Sequence, residues 1–234
     1  MISVIIPALH EATNLRALLK TLSCQDAAHE VIVADGGSTD ATVTVARDQG
    51  ARVVEAAGGR GPQIAAGAET ATGEILLFLH ADSVFPAGGL IGVAEILAAR
   101  PEVAGGNFRV IFDGDDGFSR WLTGAYAWIR RHGLYYGDSG VFVRADAYRA
   151  LGGVRPIAVM EDYDFVRRLQ RFGPTCCIED PPLVTSSRRF EGRHAFAIVW
   201  GWIRIHALYH LGVSPNRLAA LCDSERRGVG AGSD

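Results

Sequence analysis

The chain has 234 residues, 48% of them hydrophobic and 21% charged, with a formal net charge of -3. That is apolar material for one large globular domain, or a core domain with a smaller appendage, and it excludes a disordered or fibrous chain. The charge balance also excludes nucleic acid as an expected partner, because that partner needs a basic face.

The first elements alternate. Ile2 to Ile6, Val31 to Ala34, Arg52 to Glu55 and Ile75 to Leu79 are predicted strands, short apolar runs bounded by polar turns. Between and after them, Asn14 to Cys24, Ala41 to Gln49, Pro62 to Thr70 and Leu90 to Ala99 have helical composition. Leu15, Leu18, Leu19 and Leu22 recur at helical spacing and are predicted to pack in the core. This alternation predicts an α/β fold with a mostly parallel central sheet flanked by helices, joined by right-handed crossovers. Beyond Pro101, Val103 to Phe112 reads as a strand and Gly117 to Arg131 as an aromatic-rich helix. Val141 to Arg144 reads as a strand after a Gly137-Asp138-Ser139-Gly140 turn. Asp162 to Phe172 is a predicted helix stopped by Gly173-Pro174. A long helix follows from about His194 to Leu211, then a short one entered through Ser214-Pro215, then a frayed end over residues 228–234.

Cys24, the adjacent Cys176-Cys177 and Cys222 lack the spacing of a zinc site or a disulfide framework and are expected to be buried thiols in a reducing compartment. The N-terminal run Ile2-Ser3-Val4-Ile5-Ile6-Pro7 has neither the basic start nor the cleavage site of a signal peptide, so a cytoplasmic location is expected. The apolar segment Ala195 to Val213 carries Arg204, His206 and His210, so it is not expected to span a membrane, whereas lying on a membrane surface is open to it.

Ligands of an open α/β sheet bind outside the carboxyl ends of its strands, and three segments put polar groups there. The run ending Leu79-His80-Ala81-Asp82 delivers an imidazole and a carboxylate two positions apart, and Asp35 opens Asp35-Gly36-Gly37-Ser38-Thr39-Asp40 after the second strand. There Asp35 either accepts hydrogen bonds from a nucleotide's base or ribose or fixes the turn. Gly58-Gly59-Arg60-Gly61 lacks the Gly-Lys-Ser/Thr ending of a P-loop and the spacing of a dinucleotide fingerprint, so Arg60 is read either as a diphosphate ligand or as a solvated loop arginine. The third segment, Glu161-Asp162-Tyr163-Asp164, starts a helix, where carboxylates either answer the helix dipole or take a proton from an attacking hydroxyl.

The ordered set Ile2 through Glu11, Val31 through Asp40, Gly73-Glu74 through His80-Ala81-Asp82, and Glu161-Asp162 resembles the family-2 glycosyltransferases with the GT-A fold. The similarity runs to about Phe172. The segments Thr185 to Phe190 and Leu211 to Leu218 are similar to a small bacterial subgroup labelled arsenosugar-biosynthesis or selenodomain-associated transferases.

The resemblance implies a GT-A catalytic domain over residues 1–190, with a nucleotide-sugar-binding half (1–100), an acceptor-binding half (101–190), and a helical appendage over 191–234. It implies a nucleotide-diphosphate sugar donor met by Pro7, Glu11, Asp35 and Asp82, with Arg188 and Arg189 either touching its diphosphate or making surface ion pairs, and it makes Arg60 and His80 further candidates for the same site. An acceptor hydroxyl would lie near Gly137, Asp138, Ser139 and Glu161. A divalent metal would sit on Asp82, with His80 beside it, and Asp162 would be the base of an inverting transfer. Two departures mark this chain. Gly36 stands where relatives carry a second acid, and His80 stands where they carry the first acid of an Asp-x-Asp pair, which favours Mn²⁺ over Mg²⁺ because imidazole suits it better. The alternatives are a sugar-phosphate nucleotidyltransferase, which would need a basic glycine-rich loop where Pro7-Ala8-Leu9-His10-Glu11 stands, and a catalytically silent nucleotide-sugar-binding protein. Trp121, Tyr126, Trp128, Tyr135, Tyr136, Trp200 and Trp202 are read either as core or as a sugar-stacking and peripheral-membrane surface.

Overall fold

The structure, a computed structural model, describes residues 1–190 and 192–221, the side chain of Arg189 excepted. The readings of Cys222, of the Arg189 side chain and of residues 228–234 fall outside the described part.

The chain runs β1 (Ile2–Ala8), α1 (Ala12–Ser23), β2 (His29–Asp35), α2 (Thr42–Asp48), β3 (Arg52–Glu55), α3 (Arg60–Thr70) and β4 (Ile75–Phe78). It continues through β5 (Ser83–Val84), α4 (Gly89–Ala99), β6 (Gly105–Phe112), α5 (Gly117–Arg131), β7 (Val141–Arg144) and α6 (Ala145–Ala150). It ends in α7 (Glu161–Phe172), β8 (Thr175–Thr185), α8 (Ala195–His210) and a last helical stretch over 215–221.

One eight-stranded sheet carries the fold, in the order β3-β2-β1-β4-β7-β6-β8-β5. The sheet is parallel through β3, β2, β1 and β4 and between β6 and β8, as expected of a mostly parallel sheet, and is mixed by antiparallel pairings at β4–β7, β6–β7 and β5–β8. The cause lies in the connections. Helices α1, α2 and α3 each cross the sheet and return the chain in the same direction, whereas β7 runs back against both of its neighbours.

Every residue of β1 is buried, as expected of a central strand covered on both faces. Its alternation sends Val4, Ile6 and Ala8 to one face, with Leu15, Leu18, Leu19 and Leu22 of α1 and Leu90, Val93 and Leu97 of α4. Ile5 goes to the other face, with Ile64 of α3, Tyr148 of α6 and Phe165, Val166 and Leu169 of α7. Gly67 lets α3 lie flat on that face, since a Cβ there would fall 2.6 Å from the Ile5 side chain. A third, smaller cluster joins Val110 and Phe112 of β6, Leu122 of α5, Ile198 of α8, and Phe190 in the turn before α8.

Cys176 is buried and Cys177 half-buried, but Cys24 is exposed, contrary to the expectation of a buried thiol. It is the residue after α1 and lies off that helix's buried leucine stripe. Of the aromatic residues, Tyr135 is buried and Trp202 packs on the third cluster, while Trp121, Trp128 and Trp200 stand at 50%, 61% and 57% exposure.

Candidate active site

The strand order reverses between β1 and β4, which makes their carboxyl ends a topological switch point, and two polar segments emerge there, one of them the His80 to Asp82 run expected to carry chemistry. After β1 come Leu9, His10 and Glu11; after β4 come Leu79, His80, Ala81 and Asp82. Among the described residues, His10 (φ 56°) and Met160 (φ 64°) are the non-glycine residues in left-handed backbone. One begins the loop to Glu11 and the other precedes Glu161 at the start of α7. Such backbone is uncommon outside glycine and concentrates where tertiary packing holds a functional segment.

At the β2 end, Asp35 is 2% exposed. Its Oδ2 accepts from the backbone N–H of Gly37 at 3.0 Å and of Ser38 at 2.9 Å, which fixes the turn. Its Oδ1 is buried without a hydrogen-bond partner among the described residues, an acceptor whose burial is costly unless something donates to it. One oxygen thus fixes the turn, and the other is left as an acceptor without a donor among the described residues. Pro7 lies buried on β1, in register with Ala34, one position before the Ala8–Asp35 pair.

Arg188 ties the segment after β8 to the residues after β1 and β4: its Nη2 donates to Glu11 Oε1 at 2.6 Å and its Nε lies 3.5 Å from Asp82 Oδ2. Glu11 is further held by Asn14, whose Nδ2 donates to Oε2 at 2.5 Å. Arg60 is half-exposed and reaches two partners, Glu161 Oε1 at 3.0 Å from Nε and His80 Nε2 at 3.4 Å from Nη1. Desolvation acts to lower its pKa, but Glu161, Asp162 and Asp138 outweigh it and raise it. Glu161 is 1% exposed, with Oε2 unpartnered among the described residues. Burial pushes its carboxyl above the usual range, against the pull of Arg60 and with the repulsion of Asp162.

Asp162 stands at the first turn of α7, and its Oδ2 accepts the N–H of Gly137 at 2.8 Å. Gly137 is the hinge of the arrangement. A Cβ there would lie 3.2 Å from Asp162 Oδ2 and 3.4 Å from His80 Nε2, so the α7 carboxylate and the residues after β4 meet across a single glycine. The next two residues are buried: Asp138 Oδ2 accepts from the Tyr126 hydroxyl at 2.8 Å, and Ser139 Oγ donates to the Tyr136 carbonyl at 2.5 Å.

Sequence reasoning missed the roof over this turn. The Tyr136 hydroxyl lies 3.3 Å from His206 Nε2 and the Tyr163 hydroxyl 3.0 Å from His210 Nε2, so α8 is fastened to the residues on either side of Gly137 and Asp162. The legible trace is that His206 and His210 are four apart and thus share a helix face. Burial, with the neighbouring charge of Asp162, holds the Tyr136 phenol up at about 12, so it is a hydrogen-bond donor at neutral pH.

The donor set at the β4 end suits a divalent ion held through Asp82 with His80 beside it. No cluster of three or more His, Cys, Asp or Glu side chains forms a ready metal site among the described residues, so much of the coordination shell would fall to substrate oxygens and water.

The chain matches the model for Glycosyl transferase family 2 over residues 3–150. A 4,4'-diaponeurosporenoate glycosyltransferase of Staphylococcus haemolyticus is 39% identical over 89 residues, covering 35% of this chain and 24% of that protein. The chain thus spans about a quarter of that relative's length. Among solved structures, the mannosyltransferase PcManGT of Pyrobaculum calidifontis, in complex with GDP-Man and Mn2+, superposes with a TM-score of 0.67 at 20% identity, covering 96% of this chain and 68% of that one. S. aureus TarS in complex with UDP-GlcNAc gives 0.65 at 19% identity, covering 83% and 60%. These likenesses establish the α/β GT-A fold. With the family match spanning more than half of its residues, the chain belongs to glycosyl transferase family 2.

Proposed function

We propose that the chain transfers a glycosyl group from a nucleotide-diphosphate sugar to an acceptor hydroxyl, with inversion, in a single displacement. The observation that carries this reading is the meeting of Asp162 and His80 across Gly137. It brings a carboxylate of the acceptor half beside the corner where the switch point of the donor half opens.

In this reading the unpartnered Oδ1 of Asp35 accepts from the nucleotide, with Pro7 and Glu11 lining the same crevice. Arg188 and Arg60 supply positive charge facing the diphosphate, by the paired hydrogen bonds guanidinium makes to phosphate oxygens. Asp162, kept in place by the Gly137 N–H, takes the proton from the acceptor hydroxyl as its oxygen bonds to the anomeric carbon. The sugar–phosphate C–O bond breaks on the opposite side, and its electron pair leaves with the nucleoside diphosphate. Asp82 and His80 would hold a divalent cation, Mn²⁺ in preference to Mg²⁺, which when bound supplies Lewis-acid neutralisation of the diphosphate.

Residues 1–190 act as the catalytic domain in this reading, and 191–234 as an appendage closing the acceptor side. The Thr185 to Phe190 segment, whose Arg188 bridges Glu11 and Asp82, supports membership of the arsenosugar or selenodomain-associated subgroup. No described helix is long and apolar enough to cross a membrane, but Trp121, Trp128, Phe196, Trp200 and Ile203 are exposed on α5 and α8, which supports peripheral membrane contact. Liposome flotation checks that contact. The transfer itself is tested by nucleotide release from a panel of nucleotide sugars with Mn²⁺. Unchanged turnover in Asp162→Asn and Asp82→Ala would refute the assigned roles.

A further inference from the structure

Beside the Gly137–Ser139 turn, on the side of α5, lies a second cavity of about 270 Å³ that the transfer chemistry does not use. Its walls come from β6, β8, α5 and the residues that follow α5, and its lining includes Arg109, Arg130 and Arg131, with Glu179 as the one carboxylate. The arginines are placed by specific devices. A register shift between Phe108 and Val110 leaves Arg109 in a bulge, the kind of irregularity that re-aims a side chain, and its Nε donates to the Glu179 carbonyl at 2.7 Å. Arg130 is held by Asn107, itself 2% exposed, whose Oδ1 accepts from Nε at 2.7 Å, and by the Tyr135 ring 5.3 Å below the guanidinium. The remaining lining is apolar or neutral: Val110, Ala127 and Leu134, the Tyr135 phenol and the Cys177 thiol. Burial keeps the last two protonated at neutral pH, at about 12 and about 11. Three arginines and one carboxylate thus line a partly apolar interior, with Arg109 Nε 3.9 Å from Glu179 Oε2, and the surplus of positive charge that remains is stabilised by a ligand anion.

We propose that this cavity binds the phosphate or carboxylate group of a small amphipathic molecule, with Arg130 as its ordered anchor and Arg109 and Arg131 at its mouth. Ser139 lines the cavity, and Tyr126, which also lines it, donates to Asp138, so the site adjoins the turn that holds Asp162. This rests on the glycosyl-transfer reading only for its role: an anion seated here is either the far end of the acceptor or a separate effector.

Phenyl phosphate is the probe, with benzyl alcohol as its uncharged control, each titrated calorimetrically into the full chain. The expected result is saturable binding of phenyl phosphate alone. Arg130→Met and Arg109→Gln should each weaken it by at least about tenfold, the loss of one charge-assisted contact, while Arg188→Gln in the donor crevice leaves it unchanged. Arg109 is on the surface, so its variant stands even if Arg130→Met does not fold. Equal affinity in wild type and Arg109→Gln, or loss of binding in Arg188→Gln alone, overturns the proposal. The titration needs no turnover, so a failure of the glycosyl-transfer reading leaves its outcome intact. With a turned-over donor, glycosylation of 4-(hydroxymethyl)phenyl phosphate, with its KM raised in Arg109→Gln, assigns the cavity to the acceptor. A change in donor hydrolysis without glycosylated product assigns it to an effector. Both outcomes support the site.

Discussion

Gly137→Ala separates geometry from folding at the centre of the site. Gly137 does not use left-handed backbone, so alanine is conformationally compatible, and the added methyl reduces the entropy of the unfolded chain by about 0.4–1 kcal/mol in favour of folding. Against this stands the crowding of a Cβ placed 3.1 Å from Asp162 Cβ, 3.2 Å from Asp162 Oδ2 and 3.4 Å from His80 Nε2, an overpacking cost of about 1 kcal/mol. The two offset each other, and the melting temperature should move by no more than about 3 °C. Activity should move further. Relief of the contacts shifts the Asp162 carboxylate by about 0.3–0.5 Å, and with a misplacement of about 1 Å costing roughly a hundredfold, turnover should fall about four- to tenfold. Nucleoside diphosphate release and a thermal melt on the same preparation provide the measurement. Wild-type turnover at an unchanged melting temperature refutes the claim that Asp162 and His80 act across this glycine; a fall of 8 °C or more refutes the claim that the position is permissive to fold.

Glu161→Gln should stabilise the protein at neutral pH, because burial raises the folded carboxyl pKa above 4.5 despite Arg60: the charged form is disfavoured in the fold, and stability is lost as pH rises through that window. Melts from pH 4 to 8 should show the variant's advantage growing with pH, and an advantage largest at pH 4 would contradict this. His206 has the opposite sign. Burial first, then the charge of His210, lowers its pKa below 6.5, so its contribution is present above that value and is lost as pH falls through the folded pKa. The protection of α8 amides, each exchange rate taken relative to the intrinsic rate at that pH, should therefore fall between pH 7 and 5, more than in α1, and should not do so in His206→Gln. Chelation should abolish nucleotide release, with Mn²⁺ restoring it better than Mg²⁺, and Asp82→Ala should weaken Mn²⁺ binding, read by its electron paramagnetic resonance signal, at least tenfold.

The parallel part of the fold was legible because its strands are short apolar runs between helices with clear stripes; β3, α5 and β7 fall on the residues expected. β8 was missed because Thr175–Thr185 mixes Glu179, Asp180 and two prolines into a strand whose faces are only partly covered. The two-residue β5 and the helix α6, which follows β7 without a turn, give no separate signal. At the site, single-position features such as Asp35, Asp82 and Asp162 could be read from strand and helix ends. The pairings could not: Arg188 and Glu11 are 177 positions apart, and nothing local in Gly58-Gly59-Arg60-Gly61 announces that Arg60 closes on Glu161. Such partners are set by sheet order, which the chain specifies only through the packing of all its layers.

The four residues of β4 are paired on both sides, parallel to β1 from Ile2 to Ile5 and antiparallel to β7 from Arg144 to Val141. A strand so placed is a ruler between two halves of a molecule. Loops beyond β3 or β8 can lengthen without altering the spacing of the halves, whereas one residue inserted or deleted within β4 slips its register and displaces the His80 and Asp82 that follow it relative to β1 and β7. The tolerance of this protein to changes in length should therefore be lowest in a segment that makes up only a small part of it, and recombination between relatives should succeed when the crossover leaves β4 and the residues after it in one piece.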